Sequence, residues 1–400
     1  MKNNKFDFIV LGAGIVGINI AIEIKKNFTD ASVCILEKEG HLAEHASGRN
    51  SGVIHSGFYY DEDSIKAKFC RDGNRSLTDY CIQKGISLNR CGKIVVAQSE
   101  KDLDSMDILL ERGKKNNVEL HSLDSYQLKK IEPAAKTFER AIYSPNTSTA
   151  SPISVLRSLE KDAFNLGISI HLNTKYLSRS KNILKTSAGT YHAGYVINCA
   201  GLFADKIAKD FGFSEHRMII PFKGIYLKEK SPSKIIRRNI YPTPNLENPF
   251  LGVHYTITAD GFIKIGPTAI PAFWPEQYSG FKNFSLKDFF RITFAESKLF
   301  FNSDFNFKKL AFEEYSKLSK TRLLKLASKM IFADLDSKNF EWSKPGIRAQ
   351  LLNLKNHSLE MDFIFEGDES SFHVLNAVSP AWTCSIPFSK FIVNQIKSII

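Results

Sequence analysis

A glycine-rich turn between a short apolar run and a helical pattern limits the possible folds of this chain more than any other feature. The run FDFIVL (6–11) predicts a buried strand, GAGIVG (12–17) follows it, and residues 15–26 have the apolar pattern of a helix. A second buried strand over 32–36 ends at Glu37, twenty residues beyond the last glycine. This order of elements predicts that the chain opens with a Rossmann-like βαβ unit.

The three glycines of GAGIVG each have a physical role in binding a dinucleotide. The first permits a tight turn, the second lets a pyrophosphate approach the backbone, and the third lets the helix pack closely on the strand. The helix N-terminus offers N–H groups to the phosphates, and an acid after the second strand can accept hydrogen bonds from ribose hydroxyls. The predicted dinucleotide-binding residues are Gly12, Gly14, Ile15, Val16, Gly17, Glu37 and Lys38.

The segment beyond Glu37 favours FAD over NAD as the dinucleotide. Residues 45–57 (HASGRNSGVIHSG) are rich in glycine, serine and histidine. Such a segment suits a backbone that must wrap the ribityl chain and ring of a flavin. The alternative is a solvated loop whose histidines are incidental.

Composition excludes several other classes of protein. Hydrophobic residues make up 43% and charged residues 24% of the 400 residues, as in soluble globular proteins, so disordered, collagen-like and disulfide-scaffold classes are excluded. The six cysteines form no CxxC pair, so no zinc or thioredoxin-type site is predicted, and we expect reduced thiols in a cytoplasmic protein. The apolar run near the N-terminus is too short for a secretory leader, and no stretch of about 18 apolar residues predicts a membrane span.

The remaining patterns predict an α/β fold (α+β overall) in which two domains interleave. Helices are expected over 64–85, 100–117, 152–166, 202–210, 281–332 and 381–398. Strands are expected over 93–97, 168–172, 174–178, 182–186, 195–200, 217–229, 250–258, 261–266, 346–352, 361–366 and 372–376. We expect a discontinuous Rossmann-like FAD-binding domain over 1–75, 140–215 and 340–400. An antiparallel sheet with helices would form a substrate domain over 76–139 and 216–339.

Motifs along nearly the whole chain carry a family resemblance. Beyond the glycine motif and Glu37 they are SGRNSGVIHSGFYY (47–60), KAKFCRDGN (66–74), VINCAGLFAD (196–205), PFKG (221–224), PFLGVHYT (249–256), GIRAQ (346–350) and NAVSPAWTCS (376–385). With them the sequence resembles the FAD-dependent oxidoreductases of the D-amino-acid oxidase superfamily, and most of all the L-2-hydroxyglutarate oxidase/dehydrogenase family. NSGVIHSG together with PFLGVH is specific to that family, whereas the other motifs indicate only the superfamily.

The resemblance implies where the flavin lies. Residues 47–51 would contact its phosphates and ribityl chain, and 200–201 its adenosine part, with the backbone of Tyr176 near the adenine. Residues 379–383 would open the last helix beneath the pyrimidine end, where a helix N-terminus stabilises negative charge on reduced flavin. The implied residues are Ser47, Arg49, Asn50, Ser51, Gly52, Tyr176, Ala200, Gly201, Ser379, Pro380, Ala381, Trp382 and Thr383.

Oxidation of a 2-hydroxy acid needs a base for the hydroxyl proton and a cation for the carboxylate. His55, which the resemblance places near the isoalloxazine, and His254 are the candidate bases, because the pKa of a histidine is close to working pH. Their alternative roles are flavin positioning for His55 and a strand hydrogen bond for His254. Arg348 is the candidate carboxylate-binding residue, with a structural ion pair as the alternative. Lys223 is a weaker candidate for a distal carboxylate.

Two segments depart from the family pattern, so the substrate has alternatives. Ile225-Tyr226-Leu227 replaces an acidic residue and Tyr-Tyr, and Trp382, Cys384 and Pro387 replace smaller residues and a glycine. The expected reaction is oxidation of L-2-hydroxyglutarate to 2-oxoglutarate by hydride transfer to flavin N5. The alternatives are an amino-acid or amine oxidase, a flavoenzyme like glycerol-3-phosphate dehydrogenase, and a flavin-binding protein without catalysis.

The net charge of +12 is unevenly distributed. Residues 281–330 contain eleven Lys and Arg against five Asp and Glu, an excess of +6, and are dense in phenylalanine. Such a segment can lie on an anionic membrane surface, which would suit transfer of the electrons to a membrane quinone, with oxygen as the alternative acceptor. The enzyme would then be cytoplasmic with peripheral contact at the inner face of the membrane. The alternative is a solvated helical face over a Phe-rich core, and no motif accompanies the charge to indicate nucleic-acid binding.

Overall fold

The computed structural model describes residues 4–246, 250–302 and 307–400, apart from the side chain of residue 302. Pro249 of the PFLGVHYT motif and residues 303–306 of the predicted helical segment therefore lie outside the described residues.

The chain divides into two compact units, each assembled from separated segments. The first unit contains Met1–Arg49, Pro152–Pro221 and Arg348–Ile400, and the second contains Asn50–Ser151 and Phe222–Ile347. The predicted division differs at its borders, since 50–75 and 140–151 pack within the second unit.

The described residues form ten α-helices and twenty-three strands. The helices are α1 Ile15–Asn27, α2 Ile65–Gln83, α3 Asp102–Lys115, α4 Ser125–Ile131, α5 Pro152–Asn165, α6 Ala204–Asp210, α7 Leu286–Asn302, α8 Phe307–Ser316, α9 Lys320–Ala327 and α10 Ala381–Lys397. The strands are β1 Lys5–Leu11, β2 Val33–Leu36, β3 Val53–Ile54, β4 Leu88–Asn89, β5 Lys93–Val96, β6 His121–Asp124, β7 Arg140–Ser144, β8 Ser148–Ala150, β9 Ser169–His171, β10 Tyr176–Ser180, β11 Ile183–Thr186, β12 Gly189–Asn198, β13 Arg217–Gly224, β14 Leu227–Glu229, β15 Asn239–Pro242, β16 His254–Ile257, β17 Ile263–Gly266, β18 Ile270–Pro271, β19 Phe340–Trp342, β20 Gly346–Asn353, β21 Ser358–Leu359, β22 Phe365–Gly367 and β23 Ser371–Val374. Three 3₁₀ turns, Gly201–Phe203, Ser328–Met330 and Ser337–Asn339, complete the elements.

The first unit is built on a sheet whose central strands are parallel. β12, β1, β2 and β9 lie side by side in parallel, and β23 joins β12 in parallel on the other side. β2 and the last four residues of β1 are buried, as parallel strands between helices require. Helix α10 packs on α1, where the Ser389 hydroxyl donates to the Val16 carbonyl. This is the doubly wound arrangement that the opening βαβ pattern predicts.

The second unit is built on an eight-stranded mixed sheet with the order β19-β14-β17-β16-β15-β5-β7-β6. Its core includes Ile94, Val96, Ile240, Tyr255 and Ile265, all of which are nearly inaccessible to solvent. β5 and β15 pair in parallel although they are far apart in sequence, whereas β16 pairs antiparallel with both β15 and β17. A small sheet of β3, β8 and β4 brings the segment before residue 55 into the same unit.

Two predicted strands begin later than expected. Helix α4 and nine short strands were not predicted, namely β3, β4, β6, β7, β8, β15, β18, β19 and β21. The strand predicted over 250–258 is His254–Ile257, and the strand predicted over 361–366 is Phe365–Gly367. Asn239–Pro242 forms β15 without any clear alternation of polar and apolar residues. The helical segment predicted over 281–332 is confirmed within the described residues as α7, α8 and α9.

Candidate active site

The glycine turn of the first unit has no room for larger side chains at two of its three glycines. Gly12 has a φ of +105°, and a Cβ there would lie 2.7 Å from the Cys199 carbonyl oxygen. A Cβ on Gly17 would lie 2.1 Å from the Gly12 carbonyl oxygen, which is a severe overlap. Gly14 is the N-cap of α1 and has no side-chain cap. The helix start is thus held close to the strand end, as a pyrophosphate site requires.

Glu37 lies at the carboxyl end of β2, beside the glycine turn. Its carboxylate accepts hydrogen bonds from the Ala13 and Glu39 N–H groups, at 2.9 and 3.0 Å. Lys38 contacts Glu39 and the His45 ring, and His45 lies 2.8 Å from Glu39. Burial raises the pKa of Glu39, but hydrogen bonds from Lys38 and His45 outweigh it and lower the pKa to about 2. Glu37 is therefore a fixed acceptor, next to a polar cluster that includes Lys38.

The segment predicted to contact the flavin phosphates begins in the first unit and continues in the second. The Ser47 hydroxyl accepts a hydrogen bond of 2.9 Å from the Ile15 N–H at the start of α1. Arg49 donates to the backbone carbonyl of Glu44 and lies 3.5 Å from its carboxylate. In the second unit, the Asn50 side chain accepts from the Gly52 N–H, and the Gly52 carbonyl accepts from Ala150. Ser51 lies between these two anchored residues.

The end of β12 lies beside the glycine turn. The Cys199 N–H donates to the Leu11 carbonyl at the end of β1, and Ala200 and Gly201 follow directly. Tyr176, at the start of β10, donates its hydroxyl hydrogen to Asp210 at 3.0 Å. These residues therefore lie in the first unit, with Ala200 and Gly201 at the edge formed by the strand ends.

The start of α10 is the fourth element at which flavin contacts are predicted. Pro380 is its N-cap, preceded by Ser379, and supplies no side-chain hydrogen bond to the helix N-terminus. Ala381, Trp382 and Thr383 form the first turn and are buried. Within the described residues, Trp382 Nε1 and the nearby Ser385 hydroxyl are buried without a hydrogen-bond partner. Buried polar atoms without partners are costly, so they indicate a ligand at this helix start.

These first-unit features fit a flavin dinucleotide. The parallel strand ends of β1, β2 and β12 place the glycine turn, Glu37 and Ala200 along one edge of the sheet. Ligands of open α/β sheets bind at this carboxyl edge. Gly14, Ser47 and Glu37 would hold the pyrophosphate and ribose, and the start of α10 would face the flavin end.

His55 lies in the second unit, directly after β3. Its carbonyl oxygen accepts a hydrogen bond of 3.1 Å from the Asn74 side chain of α2. Asn74 also donates to the carbonyls of Ile54 and Asn146, at 3.2 and 3.0 Å. One amide thus fixes the backbone on both sides of the histidine.

Three adjacent strands of the second unit bring His254, Tyr241 and Lys93 next to His55. The His254 ring stacks on the Tyr241 ring with centroids 3.8 Å apart and planes 15° apart. The Lys93 nitrogen lies 4.6 Å from the centroid of the same Tyr241 ring and 3.4 Å from His55 Nδ1. Since β5, β15 and β16 are neighbours, residues distant in sequence form one cluster.

Burial and neighbouring groups lower the pKa of both the histidine and the lysine of this cluster. Burial, the Lys93 amine and His254 together hold the pKa of His55 well below its usual range. Burial lowers the pKa of Lys93 to about 7, against smaller opposite effects of Cys70 and Cys91. Ionisable groups with pKa values moved toward working pH are typical of catalytic sites.

The other predicted site residues have distinct positions. Arg348 lies on β20 at the border of the first unit, and the structure places His55 and His254 together in the second. Lys223 is half-buried on β13, and burial lowers its pKa. Besides these predicted residues, the Tyr59 hydroxyl is buried without a hydrogen-bond partner in the described chain, and its ring stacks on Phe58.

Lys93 and Tyr241 are the site residues that sequence reasoning missed. Lys93 was placed only as the first residue of a strand, KIVVA. A lysine at the start of an otherwise apolar buried strand was the available signal, because a fully buried lysine is rare. Nothing local marks Tyr241, which joins the cluster only through the pairing of β15 with β5.

The fold is that of known flavoprotein oxidases. The L-alpha-glycerophosphate oxidase of Mycoplasma pneumoniae, solved with FAD bound, superposes with a TM-score of 0.77 at 18% identity, over 98% of this chain and 95% of that one. The glycine oxidase of Geobacillus kaustophilus superposes with a TM-score of 0.74 at 17% identity, over 100% and 96%. These likenesses show that the chain shares the fold of these two oxidases.

The family follows from the sequence itself. A family model described as DAO, FAD dependent oxidoreductase, matches residues 7–393. The chain belongs to the DAO family of FAD-dependent oxidoreductases, and FAD is its cofactor.

Within this family, the chain is similar to L-2-hydroxyglutarate dehydrogenases. The mitochondrial L-2-hydroxyglutarate dehydrogenase of Bos taurus is 35% identical over 99% of this chain and 89% of its own length. The L-2-hydroxyglutarate dehydrogenase of Escherichia coli (strain K12) is 33% identical over 99% and 94%. The family resemblance inferred from the motifs is therefore confirmed.

Proposed function

We propose that this protein oxidises L-2-hydroxyglutarate to 2-oxoglutarate. The observation that carries the proposal is the full-length relationship to L-2-hydroxyglutarate dehydrogenases, at 35% identity over 99% of the chain. The buried cluster of His55, His254 and Lys93 supports it, since it supplies groups suited to binding and deprotonating a hydroxy acid.

Bound FAD supplies the hydride acceptor for this reaction. The chain must then remove the hydroxyl proton, hold the substrate carboxylate and exclude water. In the proposal, Arg348 binds a carboxylate of the substrate through its guanidinium fork. The buried Tyr59 hydroxyl is a further donor for the substrate.

One of two histidines removes the hydroxyl proton. His254 Nδ1 lies 2.8 Å from the Gly252 carbonyl, and a hydrogen bond donated there leaves Nε2 as an acceptor. His55 has the Lys93 amine at its Nδ1 instead of a carbonyl. If His254 is the base, His254→Asn slows flavin reduction about 100-fold and His55→Asn has a smaller effect. The opposite order assigns the base to His55.

A substrate panel tests the proposed reaction. Purified enzyme with an artificial electron acceptor is expected to turn over L-2-hydroxyglutarate and release 2-oxoglutarate in equal amount. Turnover of glycerol-3-phosphate or an amino acid, with none of L-2-hydroxyglutarate, would refute the substrate and favour the alternative oxidases. Dithionite reduction of the flavin without turnover of any substrate would indicate a protein without catalysis.

We also propose that residues 281–330 contact an anionic membrane surface, where a quinone accepts the electrons. Phe290 and Phe294 on α7 are each 64% exposed, an unusual position for aromatic side chains. The Lys298 nitrogen lies 4.6 Å from the Phe294 ring, so cations and apolar rings share this face. No helix in the described part of the chain is long and apolar enough to cross a membrane. Such a face suits interfacial binding.

A further inference from the structure

The Lys93 side chain is completely inaccessible to solvent, yet it forms no salt bridge within the described part of the chain. Its nitrogen instead faces three aromatic rings, at 5.3 Å from Phe58, 4.9 Å from Tyr59 and 4.6 Å from Tyr241. Its polar contact is His55 Nδ1 at 3.4 Å. Burial of such a lysine lowers the free energy of unfolding, which indicates that the residue has a function in the site.

The groups around the amine allow it to be either charged or neutral. The rings favour the ammonium form through cation–π attraction, whereas burial favours the neutral amine. The other titratable groups that face it are Cys70 of α2 and Cys91 before β5, with His254 acting on it through His55. The Cys91 thiol is neutral at working pH, because burial raises its pKa to about 11.

The protonation state of Lys93 favours one or the other nitrogen of His55 as the site of the ring proton. An ammonium donates to Nδ1, so a neutral His55 ring would carry its hydrogen on Nε2 and could only donate there. A neutral amine accepts a hydrogen bond from Nδ1–H, which leaves Nε2 as the acceptor that a base needs.

We propose that Lys93 is a positioning residue that holds His55 in its base-competent tautomer and receives the substrate proton through it. The proposal rests on the proposed 2-hydroxy-acid oxidation and deepens it. It assigns the base to His55, because His55 can pass a proton from Nδ1 to the Lys93 amine, whereas His254 Nδ1 faces the Gly252 carbonyl.

The step balances in atoms and electrons. The substrate O–H bond breaks and its proton joins His55 Nε2, while the Nδ1–H bond breaks and that proton joins the Lys93 nitrogen. The substrate carbon loses its hydrogen as hydride to the oxidised flavin, and the C–O bond becomes a carbonyl. The substrate is oxidised by two electrons, His55 ends neutral, and Lys93 ends as ammonium.

The relative pKa values of His55 and Lys93 agree with proton transfer from the ring to the amine. The pKa of His55 is held well below its usual range, so the ring is a poor final holder of a proton. The pKa of Lys93 is about 7, so the amine is the better one. Proton transfer is therefore favoured from the ring to the amine.

Histidine nitrogen-15 spectra of the oxidised holoenzyme test the tautomer without any substrate. His55→Asn identifies the ring signals by their loss. In the wild-type protein, the His55 signals are expected to change from the Nε2–H to the Nδ1–H tautomer as pH rises through about 7. Lys93→Met should abolish this change, whereas Lys264→Met should retain it. Lys264 is a matched control, because burial lowers its pKa too and its ring contact is Tyr226.

Flavin reduction by substrate tests the role in catalysis. The wild-type rate should rise with pH through about 7, as the amine loses its proton. Lys93→Met should slow reduction about 100-fold and remove this rise, and Lys93→Arg should fail to restore it, because a guanidinium stays charged. Normal rates in Lys93→Arg would overturn the proposal in favour of a fixed cation. A His55 tautomer that changes neither with pH nor in Lys93→Met would also overturn the proposal.

The two experiments separate this inference from the proposed function. If L-2-hydroxyglutarate fails to reduce the wild-type flavin, the substrate proposal fails while the tautomer result still decides the role of Lys93. If reduction is normal in the wild type and in Lys93→Met, the inference fails and the substrate proposal stands.

Discussion

At the scale of single residues, the buried Lys93 affects both the stability of the protein and its proposed catalysis. The Lys93 amine is removed from water and has no carboxylate partner in the described residues, so its pKa is lowered to about 7. Such a residue lowers the free energy of unfolding, and replacing it with an apolar residue of similar size often stabilises a protein.

Lys93→Met is therefore expected to raise Tm by about 3–6 °C at pH 7. The unfolded chain keeps the lysine protonated up to about pH 10.5, whereas the folded chain releases the proton near pH 7. The unfolded state therefore binds more protons between these values, and wild-type stability rises with pH through this group. The advantage of Lys93→Met should shrink as pH approaches about 10.5, as thermal unfolding across pH can measure. An equal advantage at every pH would contradict the lowered pKa.

Arg348→Ala tests the carboxylate-binding residue. We expect KM for L-2-hydroxyglutarate to rise about 100-fold with FAD content unchanged, because the bidentate contact is lost. Arg217→Ala is the control, since Arg217 of the same unit forms ion pairs with Glu360 and Glu366. It should lower Tm and leave KM alone. Unchanged kinetics in Arg348→Ala would exclude the carboxylate role.

At the scale of elements, the parts that the sequence predicted well are those that depend on neighbours along the chain. The turn from β1 into α1 depends on Gly12 and Gly17 in the right order. The steric demand at Gly17 is local, since its Cβ would meet the Gly12 carbonyl, whereas that at Gly12 comes from Cys199 at the end of β12. The cluster of the second unit instead depends on β5 lying beside β15, which follows from folding of distant segments. His55 and His254 could be proposed from their motifs, but Lys93 acquires its role only through that pairing.

Two glycine variants should separate packing from cofactor binding in this turn. Gly17→Ala places a Cβ 2.1 Å from the Gly12 carbonyl oxygen, so we expect α1 to shift and Tm to fall by about 5 °C or more. Gly14→Ala meets only the Ser47 hydroxyl, at 3.1 Å. It should leave the Tm of the apoprotein nearly unchanged and weaken FAD binding. Equal loss of Tm in both variants would refute this division of roles.

At the scale of the whole molecule, the segment 281–330 combines an excess positive charge of +6, half of the net +12, with exposed aromatic residues. Sequence reasoning identified the charge excess, but exposure of the rings depends on how α7 and α8 pack. Phe290, Phe294 and Phe301 all have most of their surface in solvent. A segment that only covered a core would bury these rings.

Sedimentation with lipid vesicles tests this surface. The wild-type protein should bind phosphatidylglycerol vesicles and not phosphatidylcholine vesicles, and binding should weaken with salt. Phe290→Ser combined with Phe294→Ser should reduce binding about 10-fold with FAD content unchanged. Phe164→Ser is the control, because this ring is 79% exposed on α5 of the first unit. Equal binding of all three proteins would exclude the proposed contact.

Anaerobic titration of the oxidised holoenzyme is the most direct test of whether this flavoprotein oxidises L-2-hydroxyglutarate. Flavin absorbance at about 450 nm is followed while L-2-hydroxyglutarate is added without oxygen or another acceptor. This band should bleach, and each reduced flavin should be matched by one molecule of 2-oxoglutarate. A band that persists with L-2-hydroxyglutarate but bleaches with another donor would contradict the claim.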